Sequence, residues 1–259
     1  MDLRSIEIRL WCDVGVTSRE SRFLLIFDLD GTLLDFEKSE RISLRKALAK
    51  YDRHLDDTQV AEYRRINAEE WRRFESGSQS KNETTVRRFL RFLAEEGFEE
   101  LSHLAAEINT EFLTALSELA LYEPYAYETL IRLRQLGYRM GLLTNGVRWV
   151  QERRMARSGL KPFFTHIVTS EEVGVGKPHP AMFLSILERF RAKPEDTLYI
   201  GDSYESDILG ARAVGMATLW YRKGSADDLQ TGGVPERVKD DFSDWRTFLG
   251  LLEDRENRR

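Results

Sequence analysis

The sequence predicts a doubly wound α/β fold that is interrupted early by an all-helical unit. Three observations predict it. Short apolar runs recur along the chain, "FLLIF", "YRMGLLTNG", "THIVTS", "TLYIGDS" and "MATLWY", each ending in polar or small residues. Continuous rather than alternating runs of this kind are strands buried on both faces of a parallel sheet. Helix-length segments separate the last four, the alternation that lays helices on both sides of such a sheet. Between the first run and the second, by contrast, residues 39–119 hold no strand-like stretch at all.

Taken in order, "FLLIF" is the first strand. The helical span follows. Leu44, Ala47, Leu48 and Tyr51 share one helical face. Asp57 is a candidate cap for a helix that ends near Gly77. Thr84–Glu96 runs up to Gly97, and Glu99–Leu119 is the fourth candidate; four packed helices are a natural size for such a unit. The α/β alternation then resumes, with helices expected over Val147–Ser158, Pro180–Arg191 and Ser206–Val214. After Gly224 the chain is polar until an amphipathic helix around Trp245–Leu252. This divides the 259 residues into an N-terminal extension, 1–20, of no assigned role, a core built from 21–38 and 120–259, and a helical insert over 39–119.

Composition narrows the function. A net charge of -5 argues against nucleic acid as the main partner. Cys12 is the single cysteine, so there is neither an internal disulfide nor a thiolate zinc cluster, and a reducing cytoplasm is the expected setting. The first residues mix charge into every few positions and lack the continuous apolar segment of a signal peptide. No stretch is long and apolar enough to span a membrane. Oligomeric state is left open.

Reactive side chains gather at the carboxyl ends of the predicted strands, the edge at which open parallel sheets bind ligands. Asp28 and Asp30 end the first run, Thr144 and Asn145 the second; Lys177 follows the third in "GVGKPHP", and Asp202 and Asp207 follow the fourth in "GDSYESD". Two aspartates one residue apart repel each other and gain nothing at a strand end, so the spacing asks for a cation or a chemical task. Phosphate-ester transfer fits. A carboxylate nucleophile and an anionic phosphate both need neutralising, and four carboxylates offering only oxygen ligands suit magnesium. One carboxylate can attack phosphorus, and a second, two positions on, can protonate the leaving oxygen and then activate water. Thr144, Asn145 and Lys177 can hold the phosphoryl oxygens.

Each piece alone has a plainer reading. D-x-D-G could open a calcium loop, but position twelve counted from Asp28 is Ser39 rather than a glutamate. "GVGKP" fails as a phosphate-binding P-loop because Glu171 stands at its first glycine position and Pro178 replaces the Ser/Thr. A lone lysine is usually a solvated group, "TNG" a turn, and "GDSYESD" an acid-rich helix start. Their joint occurrence in this order, each after a strand, favours chemistry.

The four motifs "DLDGT", "LLTN", "GKP" and "GDSYESD" resemble those of the haloacid dehalogenase-like (HAD) superfamily over Phe23 to about Gly224, and the insert resembles the C1-type cap of its subfamily I. The resemblance implies a Rossmann-like core. It implies Asp28 as nucleophile, Asp30 as general acid and base, and Thr144 and Lys177 as phosphate-binding groups. Magnesium would be held by Asp28, the backbone carbonyl of Asp30 and Asp202, with Asp207 in support. "SEEVGVGKP", "GDSYESDILGA", "LLTNG" and "INAEEW" further resemble the noncanonical pyrimidine 5'-nucleotidases, which implies nucleoside 5'-monophosphates as substrates.

Substrate choice would lie in the insert. Asn67 and Trp71, one helical turn apart, are the candidates, one to hydrogen-bond a base edge and the other to stack; both could equally be core. In "WRRF" and "RRFLRF" the aromatics are expected in the insert's core and the arginines on a solvated face. His54, His103, His166 and His179 show no metal-ligand spacing, and His179 is expected on a loop surface. Competing functions are a sugar-phosphate or phosphoglycolate phosphatase, a phosphomutase, and a non-catalytic binding protein on the same scaffold. The presence of Asp30 disfavours a dehalogenase, and no motif carboxylate is missing, as it would be in a dead scaffold.

Overall fold

The computed structural model describes residues 23–223 and 241–258; the N-terminal extension, Cys12 and Gly224 lie outside them. Six strands, β1 (Leu24–Phe27), β2 (Met140–Thr144), β3 (His166–Thr169), β4 (Thr197–Gly201), β5 (Ala217–Tyr221) and β6 (Asp241–Phe242), form one sheet in the order β3-β2-β1-β4-β5-β6. Every pairing is parallel. The five expected strands are all present. The two-residue β6 has no apolar run to announce it.

The sheet is covered on both faces because β1 has no polar side. Leu25 and Phe27 face a core shared with Ala126, Leu130 and Leu133 of α5 (Ala126–Gln135) and with Trp245, Phe248 and Leu252. Leu24 and Ile26 face the other core, with Met182, Phe183 and Ile186 of α8 (Pro180–Phe190). Each such side chain stabilises the fold by roughly 1.5–3 kcal/mol on burial. Trp245 opens a short 3-10 turn that continues into α10 (Phe248–Asn257). α6 (Arg148–Ser158) follows β2, the one-turn α7 (Ser170–Val173) follows β3, and α9 (Gly210–Ala213) follows a π-helical turn over Tyr204–Leu209.

The insert is four helices, α1 (Phe36–Ala49), α2 (Asp57–Glu75), α3 (Lys81–Glu95) and α4 (Ala105–Ser117), with a 3-10 stretch over Glu99–Leu104. The cap of α2 is Asp56 rather than Asp57, in a reciprocal capping box with Gln59, and Ser80 does the same for α3 with Glu83. The insert has its own core, from Leu44 and Leu48 through Tyr63, Ile66, Phe89 and Phe92 to Ile108 and Phe112, and Val150 of α6 joins it. Arg88 breaks the expected pattern of solvated arginines. It is 2 % exposed and donates to Asn67 Oδ1 (3.0 Å), Asn109 Oδ1 (2.9 Å) and the Thr85 carbonyl (3.1 Å).

The chain enters and leaves the insert through two adjacent segments. Asp35 N donates to the Leu121 carbonyl (2.9 Å) and Glu123 N to the Leu33 carbonyl (3.0 Å). No described helix is long and apolar enough to cross a membrane.

Candidate active site

The site lies at the carboxyl ends of β1, β2 and β4. Asp28 directly follows β1, where its N–H continues the sheet by donating to the Ile200 carbonyl at 2.9 Å. The next turn needs Gly31. Its φ is +83°, and a Cβ there would stand 2.4 Å from Asp202 Oδ2. A side chain at this position would evict one of the site's carboxylates.

Lys177 organises the cluster. Its ammonium donates to Asp28 Oδ1 and to Asp207 Oδ1, both at 2.6 Å, and to the Tyr199 hydroxyl at 3.0 Å, and the residue is 2 % exposed. Asp207 sits in the π-helical turn and also accepts from Ser203 N (3.1 Å) and the Tyr199 hydroxyl (3.0 Å). Asp202 accepts from the Thr32 hydroxyl at 2.9 Å, and its carbonyl accepts from Trp220 Nε1 at 2.7 Å. Asp28, Asp202 and Asp207 bring carboxylate oxygens within 4.8 Å of one another. A small all-oxygen set of this kind fits a hard divalent cation such as magnesium.

The electrostatics are one-sided. Burial, with Asp207 adding to it and Lys177 opposing, pushes the Asp28 carboxyl up to about 7. Burial and the neighbouring Asp28 and Asp207 hold Asp202 well above the usual carboxylate range. Burial alone would lower the Lys177 ammonium, but Asp207 and Asp28 carry it well above its ordinary value. Like charges out of water repel strongly, so the cluster favours added positive charge.

Of the expected site residues, Asp28, Lys177, Asp202 and Asp207 meet directly. Asn145 joins them through backbone: its Oδ1 accepts from Lys177 N (2.7 Å) and its Nδ2 donates to the Lys177 carbonyl (3.0 Å). The Thr144 hydroxyl accepts from Gly146 N at 3.0 Å. Asp30 stands apart from the carboxylate cluster; its side chain is turned to Gln151 and Arg154 of α6, which donate to its two oxygens. Asn67 is 5 % exposed inside the insert, with Nδ2 on Glu40 Oε1 (2.7 Å) and Oδ1 on Arg88, so both ends of its amide are engaged. Trp71 is half-buried, edge-on to Phe74 with ring centroids 5.6 Å apart. His179 is exposed and caps α8, its Nδ1 accepting from Ala181 N.

Four residues at the site lie outside the motifs read from the sequence. From α6 come Gln151 and Arg154. From the insert come Glu75 and Lys81. Glu75 Oε1 accepts from Asn145 Nδ2 at 3.3 Å, and burial beside Asp207 pushes its carboxyl up to about 7. Lys81 donates to the Gly146 carbonyl (3.0 Å) and the Ser170 hydroxyl. Between them the Phe74 ring lies where a Cβ on Gly176 would approach it to 2.4 Å. The end of α2 and the start of α3 therefore rest directly on the loops that carry Asn145 and Lys177.

The family model for haloacid dehalogenase-like hydrolases matches residues 24–215. The chain is 35% identical over 197 residues to the HAD-hydrolase YfnB of Bacillus subtilis, covering 76% of this chain and 82% of that one. The crystal structure of YfnB bound to magnesium superposes with a TM-score of 0.80 at 30% identity, over 90% of this chain and 100% of the other. Identity is 34% over 210 residues to the glyceraldehyde 3-phosphate phosphatase of Pyrococcus furiosus, covering 80% of this chain and 83% of that one. It is 31% over 198 residues to the pyrimidine 5'-nucleotidase YjjG of Escherichia coli, covering 76% and 84%.

Proposed function

Because the chain belongs to the haloacid dehalogenase-like hydrolase family, we propose that it is a magnesium-dependent phosphomonoesterase working through an aspartyl-phosphate on Asp28. The observation that carries this reading is the meeting of three carboxylates and one buried ammonium at the sheet edge, with donors beside it. Asp28 attacks phosphorus while the bond to the leaving oxygen breaks and Asp30 gives that oxygen a proton. Asp30 then takes a proton from water as the water oxygen attacks phosphorus, and the bond from Asp28 to phosphorus opens. Lys177 holds Asp28 and offsets charge on the phosphoryl group, with Thr144 as a further donor, while Asn145, whose amide donates to the Lys177 carbonyl and Glu75, holds the Lys177 loop in place. Asp28, Asp202 and the backbone carbonyl of Asp30, with Asp207 in support, would hold magnesium, which would neutralise the phosphate.

For the substrate we propose a nucleoside 5'-monophosphate, pyrimidine above purine. The similarity to YjjG supports this, as does the Trp71–Phe74 pair at the end of α2, which offers a ring to a base. The similarity to the Pyrococcus furiosus phosphatase supports a second reading, a small phosphorylated aldehyde. The single cysteine, Cys12, supports a reducing cytoplasm as its setting.

Phosphate release across pyrimidine and purine nucleotides, glyceraldehyde 3-phosphate, sugar phosphates and phosphoglycolate separates these, run with magnesium and with excess chelator. Pyrimidine nucleotides should lead, and chelation should abolish turnover. A small phosphorylated aldehyde leading the series would move the substrate to the second reading. Full turnover by metal-stripped protein in chelator would remove the mechanism.

A further inference from the structure

We propose that Gln151 and Arg154 are positioning residues for Asp30, and that Arg154 ties the seat of that carboxylate to the linker by which the chain leaves the insert. The inference rests on Asp30 acting as acid and base.

The geometry is specific. Gln151 and Arg154 lie three residues apart on α6, so they share a face. They are 1 % and 0 % exposed. Arg154 Nη1 takes Asp30 Oδ1 and Gln151 Nε2 takes Asp30 Oδ2, so each carboxylate oxygen has its own donor from the same helix. The two donors also brace each other, Arg154 Nη1 lying 3.4 Å from Gln151 Oε1. Room for this is built into the phosphate-side loop: a Cβ on Gly146 would stand 1.8 Å from Gln151 Nε2. Gln151 further reaches the Thr144 hydroxyl at 3.4 Å. One amide thus touches both the expected acid and a group expected to hold phosphate.

Arg154 Nη2 is buried and has no hydrogen-bond partner among the described residues, so the guanidinium's protein contacts run to Asp30, to Gln151 and to the linker. The remaining guanidinium N–H, Nε, donates to the Leu119 carbonyl at 3.3 Å, just past the end of α4. The Tyr122 hydroxyl, on the same linker, donates to the Ser158 carbonyl at the end of α6. Val150 of α6 packs in the insert's core. Helix α6 is therefore joined to the insert and its exit linker at three places, and it holds Asp30. A shift of the linker is transmitted to the carboxylate through a single rigid guanidinium.

The test compares kcat/KM on two kinds of ester. p-Nitrophenyl phosphate has a leaving group that needs little protonation; the alkyl phosphate turned over fastest in the screen above needs a proton on its oxygen. Arg154→Lys and Gln151→Met should lower kcat/KM for the alkyl ester about tenfold or more beyond any loss on the aryl ester, and Asp30→Asn should show the same discrimination, larger. Rapid mixing with the aryl ester should show a burst of nitrophenol in both variants, because Asp30 must also activate water. Melting curves identify a variant that fails to fold; Gln151→Met, which leaves the Arg154 pair in place, then decides alone. Equal losses on the two esters, or none, would overturn the proposal. If Asp30→Asn itself loses equally on both, the acid-base reading of Asp30 falls and the seat falls with it. If Asp30→Asn discriminates and the helix variants do not, only the seat is overturned.

Discussion

The chain buries two clusters of charge, one in the core and one in the insert, and they are built on opposite plans. In the insert, Glu40, Asn67, Arg88 and Asn109 form a closed set in which Arg88 spends all three of its nitrogens on acceptors. Burial pushes Glu40 up to about 7, while its charged neighbours Arg88 and Arg64 pull the other way. At the sheet edge, Asp28, Asp202 and Asp207 face a single ammonium, and the carboxylates add to the effect of burial. A self-satisfied cluster specifies how helices pack. An unbalanced one stores an affinity for something that arrives later. Burial alone does not mark a functional site; the sign of the imbalance does.

The largest expected effect breaks the catalytic side of this comparison. Asp28→Asn should reduce turnover by about 10³-fold or more, as loss of a nucleophile does elsewhere. It should not lower the urea midpoint, because it removes one of three crowded carboxylates. A large fall in midpoint with residual activity would make the cluster structural, like that of the insert.

Lys177→Ala should cost about 3 kcal/mol of transition-state stabilisation, near a hundredfold in kcat/KM. Unlike Asp28→Asn it should also destabilise the fold, since Asp28 and Asp207 both lose the ammonium that pairs with them. Magnesium should restore part of the midpoint. An unchanged rate would return Lys177 to the role of an ordinary buried ion pair.

The insert gives a stability prediction with a defined sign. Glu40 is raised from 4.5 to about 7 in the folded protein, so the folded state holds its proton more tightly than the unfolded chain. The stability it contributes is full below pH 4.5 and is lost as pH rises through about 7. Across that window wild type should lose about 1–3 kcal/mol more than Glu40→Gln, in which the group cannot titrate. Parallel urea-unfolding series at several pH values would show it. Identical slopes would mean that Arg88 and Arg64 keep Glu40 charged throughout.

Trp71→Ala carries the smallest effect. If the ring stacks a base, kcat/KM for a nucleotide should fall about tenfold, within the roughly 1–3 kcal/mol of a base–aromatic stack. Glycerol phosphate should be spared. Equal losses on both would assign Trp71 to the packing of Phe74.

The five long strands and the residues at their ends were legible because a buried parallel strand is apolar throughout and its chemistry follows at once. Asp28, Asn145, Lys177, Asp202 and Asp207 all stand in such places. Gln151 and Arg154 were not legible, because "RWVQERRMARS" reads as a polar surface helix. A signal does exist in it. Val150, Gln151, Arg154 and Met155 fall on one buried stripe at helical spacing, which takes Gln151 and Arg154 off the solvated face. Glu75 and Lys81 could not be read, since their partners lie in segments far along the chain and meet them only when the insert rests on the core. Asn67 shows the reverse problem. A polar residue beside an aromatic on a helix looks like a recognition pair, yet its amide is committed to Glu40 and Arg88.

The two linkers leave the insert's ends side by side, with Asp35 bonded to Leu121 and Glu123 to Leu33. In genetic terms the four helices are a cassette. A different cassette of any size could be spliced between these positions without rethreading the sheet, because its ends need only meet where two peptide groups already touch. The strands and the carboxylates at their ends could thereby outlive many changes of clientele, while the unit above them is traded together with its Glu75 and Lys81. A chimaera joining this core to the insert of a relative, cut at Leu34 and Leu121, is the natural starting point for redirecting it.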